Sequence, residues 1–437
     1  MENHRIQVFL KTYLDRNFLP MVISFVENSA MVFGLGTEDV LKLTLACEEI
    51  FAYLCQVGQI DETIDVEVSN GRYFAQVKFL FKAHDFNPRA FNLTTSVSLD
   101  DQASLEEMGL LIASRSADRF TITGSPQQGL ELVLIKEKSY PGLTELKMPE
   151  VKPIKNFLVK TPDAEEIKFF CHLILGYYST PFYPPSFRFP GKIVDMIGSG
   201  EYQAAVAMDS GGQLGGGIIW RWAGGKLVEF FGPYCFNQLP VSGMAERLID
   251  TCIGQIAKTD AISLISRYTI SKLPEGYFEL LGSLDLMQPD GTMKSSPVFY
   301  RQLHEDLGCK VWAHPDLEGF LRTEYGRLFF AREIRLIQPE GEMRSPYSVF
   351  TAQFDRFHHQ VALRPILEGT DAFNNLSQHV RVIKAEGLMG IFFEIDLGLA
   401  WQATLTPSLL GNGFRPRLIL PYGGEADLVV FQYQEGR

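Results

Sequence analysis

Hydrophobic and polar positions change their period several times along the chain, and each change marks a boundary between predicted elements. The clearest succession lies between residues 201 and 258. Apolar runs at residues 203–208, 214–222 and 226–231, separated by Gly-containing turns, predict three strands of a meander. From residue 243 to 258 the apolar positions recur at helical spacing, which predicts a helix with one buried face. The predicted order is therefore three strands, a short loop and a helix.

Two features of this stretch bear on phosphate binding. The start of the helix at Gly243 leaves N–H groups unpaired and carries a partial positive charge, which suits an anion such as a pyrophosphate. The glycines at positions 211, 212 and 215–217 could belong to a phosphate-binding loop, but no Gly-Lys-Ser/Thr sequence follows them. We favour a hairpin turn and close packing of a strand as the reason for these glycines.

The N-terminal part of the chain predicts one α/β unit over residues 1–138. Helices are predicted at residues 9–28 and 37–57, and the pair Asn70-Gly71 predicts a tight hairpin between two strands. A further helix and two more strands are predicted to complete the unit. Three prolines within residues 139–155 predict a linker.

Strands and helices continue to alternate after the linker, so the whole chain is predicted to have an α/β fold class with layers of helix and sheet. Residues 156–340 predict one mixed-sheet domain, and residues 341–437 predict a second, related half. A helix is predicted at residues 277–284. Because no sequence repeat is visible, the relation between the two regions rests on the order of their elements.

Composition narrows the functional classes. The 437 residues exceed what one core holds, and a hydrophobic content of 46% describes an ordinary globular protein. The formal net charge of −12 argues against nucleic acid as a partner. The six cysteines form no CxxC pair, which predicts reduced, buried thiols. The apolar stretch at residues 21–35 is too short to span a bilayer. We therefore expect a cytoplasmic protein without a membrane partner.

The strand–loop–helix order of residues 201–258 resembles the core of the GNAT acyltransferase superfamily. In that family a loop of the type Arg/Gln-x-x-Gly-x-Gly/Ala wraps the pyrophosphate of acetyl-CoA. The matching loop here runs from Pro240 to Ala245; it keeps the Gly and the small last residue, while Pro240 replaces the leading Arg or Gln. The resemblance implies that acetyl-CoA is the cofactor and that six residues hold it: Phe231, Gly232, Ser242, Gly243, Met244 and Ala245.

The same resemblance implies an acid–base pair near the third strand. Glu229 has apolar neighbours and is the candidate base for the acceptor amine, with a raised pKa if it faces the cleft; the alternative is a strand Glu in solvent. Tyr234 and Tyr300 are candidates for the acid that protonates the CoA thiolate, or else packed aromatic residues with satisfied hydroxyls. The neighbours His358 and His359 face opposite sides of a strand, so no metal site is expected.

The N-terminal unit resembles the GHKL ATPase fold in the version found in serine-kinase anti-sigma factors. In that family a helix with Glu-x-x-x-Asn and an Asp-x-Gly box hold magnesium and adenine. Here Glu49 matches the acidic residue, but Tyr53 stands at the Asn, Phe81 at the Asp and Ala83 at the Gly, and Gly109 is the glycine left in the third box. The resemblance thus implies a scaffold that kept its hydrophobic residues and does not bind ATP.

Two functional hypotheses follow. The first is a bacterial-type N-acyltransferase or acyl-CoA-binding protein, fused to an ATPase-like regulatory module and acting on an amine such as a protein lysine. The alternative is a non-catalytic, partner-switching regulator in which both modules are surfaces for a regulatory protein partner. Pro240 and the altered nucleotide boxes favour the alternative.

Overall fold

The computed structural model describes the following parts of the chain: residues 6–82, 86–95, 102–125, 129–143, 149–238, 243–268, 273–288, 290–338 and 344–435. The chain forms two units. The first comprises residues 1–140, 344–352 and 365–382, and the second comprises residues 141–343, 353–364 and 383–437. The predicted α/β fold class with more than one domain is confirmed.

The first unit is a sheet with a layer of helices. Its strands are β1 (Gln7–Tyr13), β2 (Thr63–Asn70), β3 (Phe74–Phe81), β4 (Arg119–Ser125) and β5 (Gly129–Glu137). Its helices before residue 140 are α1 (Leu19–Val32), α2 (Thr37–Val57) and α3 (Gln102–Ser116). The strand order is β1-β2-β3-β5-β4, and all neighbours are antiparallel. Alternate strand residues such as Val66 and Val68 share one core with the apolar residues of α1 and α2.

The predicted hairpin at Asn70-Gly71 and the predicted helix at residues 37–57 are confirmed. The Asn70 side chain accepts a hydrogen bond from the Arg72 N–H at 2.7 Å, and the Gly71 N–H bonds to the Phe74 carbonyl at 2.9 Å. Arg72 has a φ of 70°, which a tight turn between twisted strands requires at one of its residues. The local chemistry of this turn was therefore sufficient to fix the pairing of β2 with β3.

The predicted helix at residues 9–28 is wrong in its first half. Residues Gln7–Tyr13 form β1, which pairs with β2 from Gln7 opposite Ser69 to Tyr13 opposite Thr63. Exposed and covered positions alternate along β1 with a period of two, and the Asp15 side chain accepts from the Asn17 N–H to begin a separate turn before α1. Pairing with a strand distant in sequence outweighs the local helical pattern here.

Asn92 connects the N-terminal segment of the first unit to its later segments. The Asn92 side chain donates to the Ser348 carbonyl at 2.8 Å and accepts from the Phe350 N–H at 3.0 Å. It also accepts from the Asn375 amide at 3.2 Å, and Val349 belongs to the core of this unit. The predicted third domain, residues 341–437, is thus divided between the two units.

The second unit contains a seven-stranded sheet. Its strands are β6 (Leu158–Lys160), β7 (Tyr202–Met208), β8 (Leu214–Trp222), β9 (Leu227–Cys235), β10 (Ser263–Ser266), β11 (Glu279–Met287) and β12 (Met293–Gln302). Its helices are α4 (Ala164–Tyr177), α5 (Pro190–Gly198) and α6 (Met244–Ile256). The order is β11-β12-β10-β9-β8-β7-β6. The pair β9–β10, joined through α6, is parallel, and the other neighbours are antiparallel.

The predicted helix at residues 277–284 is wrong, because residues 279–284 belong to β11. Leu281 and Leu286 are buried, and a register shift at Gly282 lets β11 stay paired with β12. Asp290 accepts from the Thr292 N–H in the connecting turn, and Gly291 there has a φ of 81°. A short apolar run fits both the helical period and the strand period, and the hairpin turn that follows this run favours the strand.

The C-terminal part of the chain holds two smaller sheets. Its strands are β13 (Cys309–Ala313), β14 (Arg332–Leu336), β15 (Val349–Asp355), β16 (Gln360–Leu367), β17 (Gly390–Asp396), β18 (Phe414–Leu420) and β19 (Leu428–Tyr433). Its helices are α7 (Pro315–Leu328), α8 (Ala372–Ala385), α9 (Ala400–Ala403) and α10 (Thr406–Gly411). β13 pairs with β14, and the other five strands follow the order β15-β16-β17-β19-β18. β16 and β17 are parallel and flank α8 in sequence, as β9 and β10 flank α6.

A buried ion-pair cluster lies on β14. The Arg332 guanidinium, with a fully buried side chain, donates to Asp427 at 2.7 Å and to Asp306 at 2.8 Å. Asp427 also accepts from the Tyr422 N–H at 3.0 Å. Each charge in this cluster thus has a partner, as a buried charge requires. Among the helices that the structure describes, none is long and apolar enough to cross a membrane.

Candidate functional site

The parallel strands β9 and β10 separate part of the way along β9. Leu227, Val228 and Glu229 lie opposite Ser263, Leu264 and Ile265, and β10 ends one residue later at Ser266. β9 continues for six more residues, to Cys235. Beyond Glu229, the edge of β9 that faces β10 is therefore not covered by that strand.

A β-bulge lies on the part of β9 that follows its pairing with β10. Gly217 of β8 is opposite Tyr234, and Ile219 is opposite Phe231, so β9 carries one extra residue between the two pairs. The extra residue falls at Gly232-Pro233. Gly232 has a φ of 102°, and a Cβ there would lie 2.8 Å from the Tyr234 nitrogen, so only glycine fits. Pro233 has no N–H, so it cannot donate to a neighbouring strand.

Helix α6 begins close in sequence to the end of β9. Gly243 caps it with a φ of 65° and has open space where a Cβ would stand. Met244 is buried, and its side chain packs on Gly215 and Gly216 of β8, where a Cβ would come within 3.0 Å of it. The prediction that these glycines serve strand packing is confirmed. Ala245 is half-buried in the first turn of α6, and the predicted ligand Ser242 lies outside the described residues.

Glu229 is fully buried and ion-paired, so the predicted raised pKa is wrong. Its carboxylate accepts from Arg221 at 2.9 Å and from Arg267 at 2.7 Å. Burial alone raises the pKa of Glu229, but the two guanidinium groups outweigh burial and lower it to about 2. A carboxylate held in this way stays ionised and accepts no proton near neutral pH, so we do not assign the base to Glu229.

The sequence interpretation missed both arginine partners of Glu229. Arg221 stands directly opposite Glu229 in the β8–β9 hairpin, and the turn at residues 223–225 could have predicted that register. Arg267 follows β10 and also faces Glu394 of β17 at 3.8 Å, while Arg364 donates to the same Glu394. No local pattern predicts contacts over such sequence distances.

Tyr234 is fully buried, and its hydroxyl donates to the Phe182 carbonyl at 2.8 Å. Burial raises the pKa of Tyr234 well above its ordinary value. Beside it, the Tyr178 hydroxyl accepts from the Cys235 N–H at 2.8 Å and donates to the Cys235 carbonyl at 3.0 Å. Tyr300 is also buried, without a hydrogen-bond partner for its hydroxyl in the part of the chain described. The role of Tyr234 as an acid stays a prediction.

Aromatic side chains surround Phe231 where β9 and β10 separate. The Phe231 ring lies 5.7 Å from Phe187 and 5.7 Å from Tyr268, measured between ring centroids. Tyr202 approaches it at 6.0 Å. The Phe231 side chain is thus used for packing, and ligand contact by its backbone and by that of Gly232 stays a prediction.

In the first unit, the positions matched to the nucleotide boxes lie together. The Phe81 ring is 5.3 Å from Phe86, and the Tyr53 ring is 6.0 Å from Phe86. The Tyr53 hydroxyl accepts from the Asn87 N–H at 3.0 Å. A Cβ on Gly109 would lie 2.5 Å from the Glu49 carboxylate. The three aromatic rings thus pack on one another, and the Glu49 carboxylate lies against Gly109. Ala83 lies outside the described residues.

We expect MgATP to leave the melting temperature of the protein unchanged, because Tyr53 and Phe81 supply neither a metal ligand nor an acceptor for the adenine amine. Thermal denaturation with increasing MgATP measures this. The double variant Tyr53→Asn, Phe81→Asp restores the two polar side chains of the family's nucleotide boxes. The same measurement on this variant shows whether their absence is what prevents MgATP binding. A saturable rise in the melting temperature of the wild-type protein with MgATP would contradict the prediction.

Comparison with known proteins gives structural similarities only. No family model matches the chain. No curated protein matches it either. Among solved structures, it is similar to a GNAT superfamily phosphinothricin acetyltransferase from Sinorhizobium meliloti in complex with AcCoA, at 18% identity over 34% of this chain and 89% of that one, with a TM-score of 0.28.

Two further solved structures have comparable scores. A GNAT family N-acetyltransferase from Escherichia coli in complex with CoA is 17% identical over 36% of this chain and 87% of that one, with a TM-score of 0.25. An acetyltransferase of the GNAT family from Staphylococcus aureus is 13% identical over 34% of this chain and 100% of that one, with a TM-score of 0.26. Each similarity spans about a third of this chain.

Proposed function

We propose that the second unit binds an acyl-CoA along the edge of β9 that β10 leaves after Glu229. The observation that carries the proposal is the separation of β9 from β10 after Glu229, with a bulge at Gly232-Pro233. A strand edge that its neighbouring strand leaves can bind an extended chain that carries amides, and the pantetheine arm of CoA is such a chain. The thioester then lies near the bulge, where the backbone of β9 turns.

The pyrophosphate of the acyl-CoA is assigned to the start of α6. This helix spans Met244–Ile256, and its first N–H groups follow Gly243, whose Cβ position has open space among the described residues, the adjacent residues apart. Arg247 in the next turn is exposed and adds positive charge, while Glu246 in the first turn opposes it.

The replacement Gly243→Trp is expected to raise the Kd for acetyl-CoA at least about tenfold, because the indole fills the space assigned to the pyrophosphate. Isothermal titration of the full-length protein with acetyl-CoA measures this. The matched control is Gly200→Trp, since Gly200 also has a positive φ, 82°, and open space at its Cβ position. Gly200 precedes β7, which runs in the same direction as β9, so it lies at the opposite end of the sheet. Equal Kd values for both variants would contradict the proposal.

A second candidate function is a non-catalytic regulator with both units as binding surfaces. The observation that favours it is the state of the two predicted catalytic side chains: Glu229 is held between two arginines, and the Tyr234 hydroxyl is bonded to a backbone carbonyl. The regulator predicts no heat and no shift in melting temperature with acetyl-CoA. Binding of acetyl-CoA that depends on Gly243 favours the acyl-CoA function instead.

A further inference from the structure

Strand β1 lies at one edge of the sheet in the first unit and, among the residues described, pairs only with β2. The Ile6 carbonyl accepts from the Asn70 N–H at 3.0 Å. The Leu14 N–H donates to the Glu62 carbonyl at 2.9 Å. Because successive residues of an antiparallel strand direct their N–H and C=O groups to alternate sides, the even-numbered residues of β1 bond to β2. The odd-numbered residues direct these groups to the open edge: Gln7, Phe9, Lys11 and Tyr13.

Both faces of β1 carry apolar side chains. On the helix side, Val8 and Leu10 pack against the core of the unit but are only half-buried. On the opposite face, Phe9 is 68% exposed and Tyr13 is 51% exposed. Apolar residues on both faces are typical of a strand with neighbours on both sides, rather than of a strand at the edge of a sheet.

The two edges of this sheet differ in how they are protected from pairing with another chain. Proteins usually protect an exposed edge with charges, prolines or bulges. Strand β1 contains no proline, and its register with β2 is unbroken. Its single charged residue, Lys11, is already paired with Asp65 of β2 at 3.3 Å. The exposed residues of the other edge strand, β4, are by contrast polar or glycine: Arg119, Thr121, Thr123 and Gly124.

The open edge of β1 is complementary to itself. A two-fold axis at Leu10 brings Phe9 opposite Lys11 of a second copy, and Gln7 opposite Tyr13. This register has the fullest overlap, because all seven residues of β1 are paired. No like charges face each other in it, whereas an axis at Lys11 would bring two ammonium groups together. On the helix side, the half-buried Leu10 of one copy meets Leu10 of the other.

We propose that β1 is an interface for a second copy of this chain, paired antiparallel about Leu10, so that the two five-stranded sheets form one continuous sheet. Each copy contributes the same strand, so the contact is closed at two copies, and the polar strand β4 becomes the edge on either side. The proposal is independent of the acyl-CoA function, because β1 belongs to the first unit.

Sedimentation equilibrium of the full-length protein at several concentrations gives the Kd of the dimer, whose expected mass is twice 49.3 kDa. Phe9→Lys is expected to raise this Kd at least about tenfold, because the axis places the new charge opposite Lys11 of the other copy at two symmetric positions. Within one copy, residue 9 lies opposite Glu67 of β2, so the replacement does not repel its own sheet. The matched control is Thr121→Lys on the other edge strand, β4, which is expected to keep the wild-type Kd.

The double variant Phe9→Lys, Lys11→Glu tests the register. It places opposite charges across the axis, so the Kd is expected to return toward the wild-type value. Far-ultraviolet circular dichroism of each variant separates loss of the dimer from loss of the fold. A wild-type protein that stays monomeric at every concentration overturns the second copy as the occupant of this edge. Equal Kd values for Phe9→Lys and Thr121→Lys overturn β1 as the interface, and a double variant that does not regain the dimer overturns the pairing about Leu10.

Discussion

Replacing Glu229 with glutamine is expected to lower the free energy of unfolding by about 3 kcal/mol at neutral pH. The carboxylate is fully buried and neutralises Arg221 and Arg267, whose side chains are 32% and 27% exposed. Removing one charge of a buried group of ions leaves the others uncompensated, which costs roughly 3–5 kcal/mol. Partial hydration of the two guanidinium groups places the expected loss at the lower end of this range. Urea denaturation of the two proteins measures it.

The stability difference between the wild-type protein and Glu229→Gln is expected to depend on pH. The pKa of Glu229 is lowered to about 2 in the folded protein, from an ordinary value of 4.5. Because the folded pKa is the lower one, its contribution is complete above the ordinary value and is lost as pH falls toward 2. The stability difference between wild type and Glu229→Gln should therefore narrow below pH 4.5. Glu279→Gln is the control, since Glu279 is exposed on β11 of the same sheet. Equal losses for both variants would show that the ion pairs contribute nothing.

Replacing Arg332 with methionine is expected to destabilise the protein by about 3–5 kcal/mol. The methionine fills part of the volume but leaves Asp306 and Asp427, which are 6% and 0% exposed in their side chains, without their cation. The variant also loses the contact of the guanidinium with the Tyr422 ring, 4.8 Å from its centroid. Denaturation with urea at pH 7, followed by far-ultraviolet circular dichroism, gives the difference.

The control for Arg332→Met is Arg335→Met. Arg335 lies on the same strand, β14, but is 42% exposed and pairs with the neighbouring Glu333. We expect it to change stability by less than about 1 kcal/mol. In the Arg332 variant the loss should shrink in acid, because protonation neutralises the Asp306 carboxylate that has lost its cation. Burial raises the pKa of Asp306 in the wild-type protein, but hydrogen bonds from Tyr422 and Arg332 outweigh burial and lower it. A loss that is independent of pH would point to packing rather than charge.

The part of the candidate site that depends on local pattern was predictable. Strands were predicted at residues 203–208, 214–222 and 226–231, and the structure has Tyr202–Met208, Leu214–Trp222 and Leu227–Cys235. The helix predicted from residue 243 to 258 spans Met244–Ile256. Turn chemistry and a regular period fix these elements because neighbouring residues suffice to form them.

The electrostatics of the site could not be predicted in the same way. Whether Glu229 accepts a proton depends on Arg267, which lies 38 residues later and reaches Glu229 only because β9 and β10 are neighbours. The contact between the Asp355 carboxylate and Nδ1 of His358, at 2.5 Å, has a local spacing, and an Asp-x-x-His sequence in a turn would have indicated it. Like the contact of Glu229 with Arg267, the strand at Gln7–Tyr13 depends on a partner distant in sequence, because it pairs with β2, which starts fifty residues after Tyr13.

Completion of the first unit by residues 344–352 and 365–382 affects how the protein is made. When residue 140 leaves the ribosome, the buried amide of Asn92 still lacks Ser348, Phe350 and Asn375. At a translation rate of about 5–20 residues per second, residue 382 follows roughly 10–50 s later. The N-terminal unit stays without these partners through that interval, although all five strands of its sheet are already synthesised.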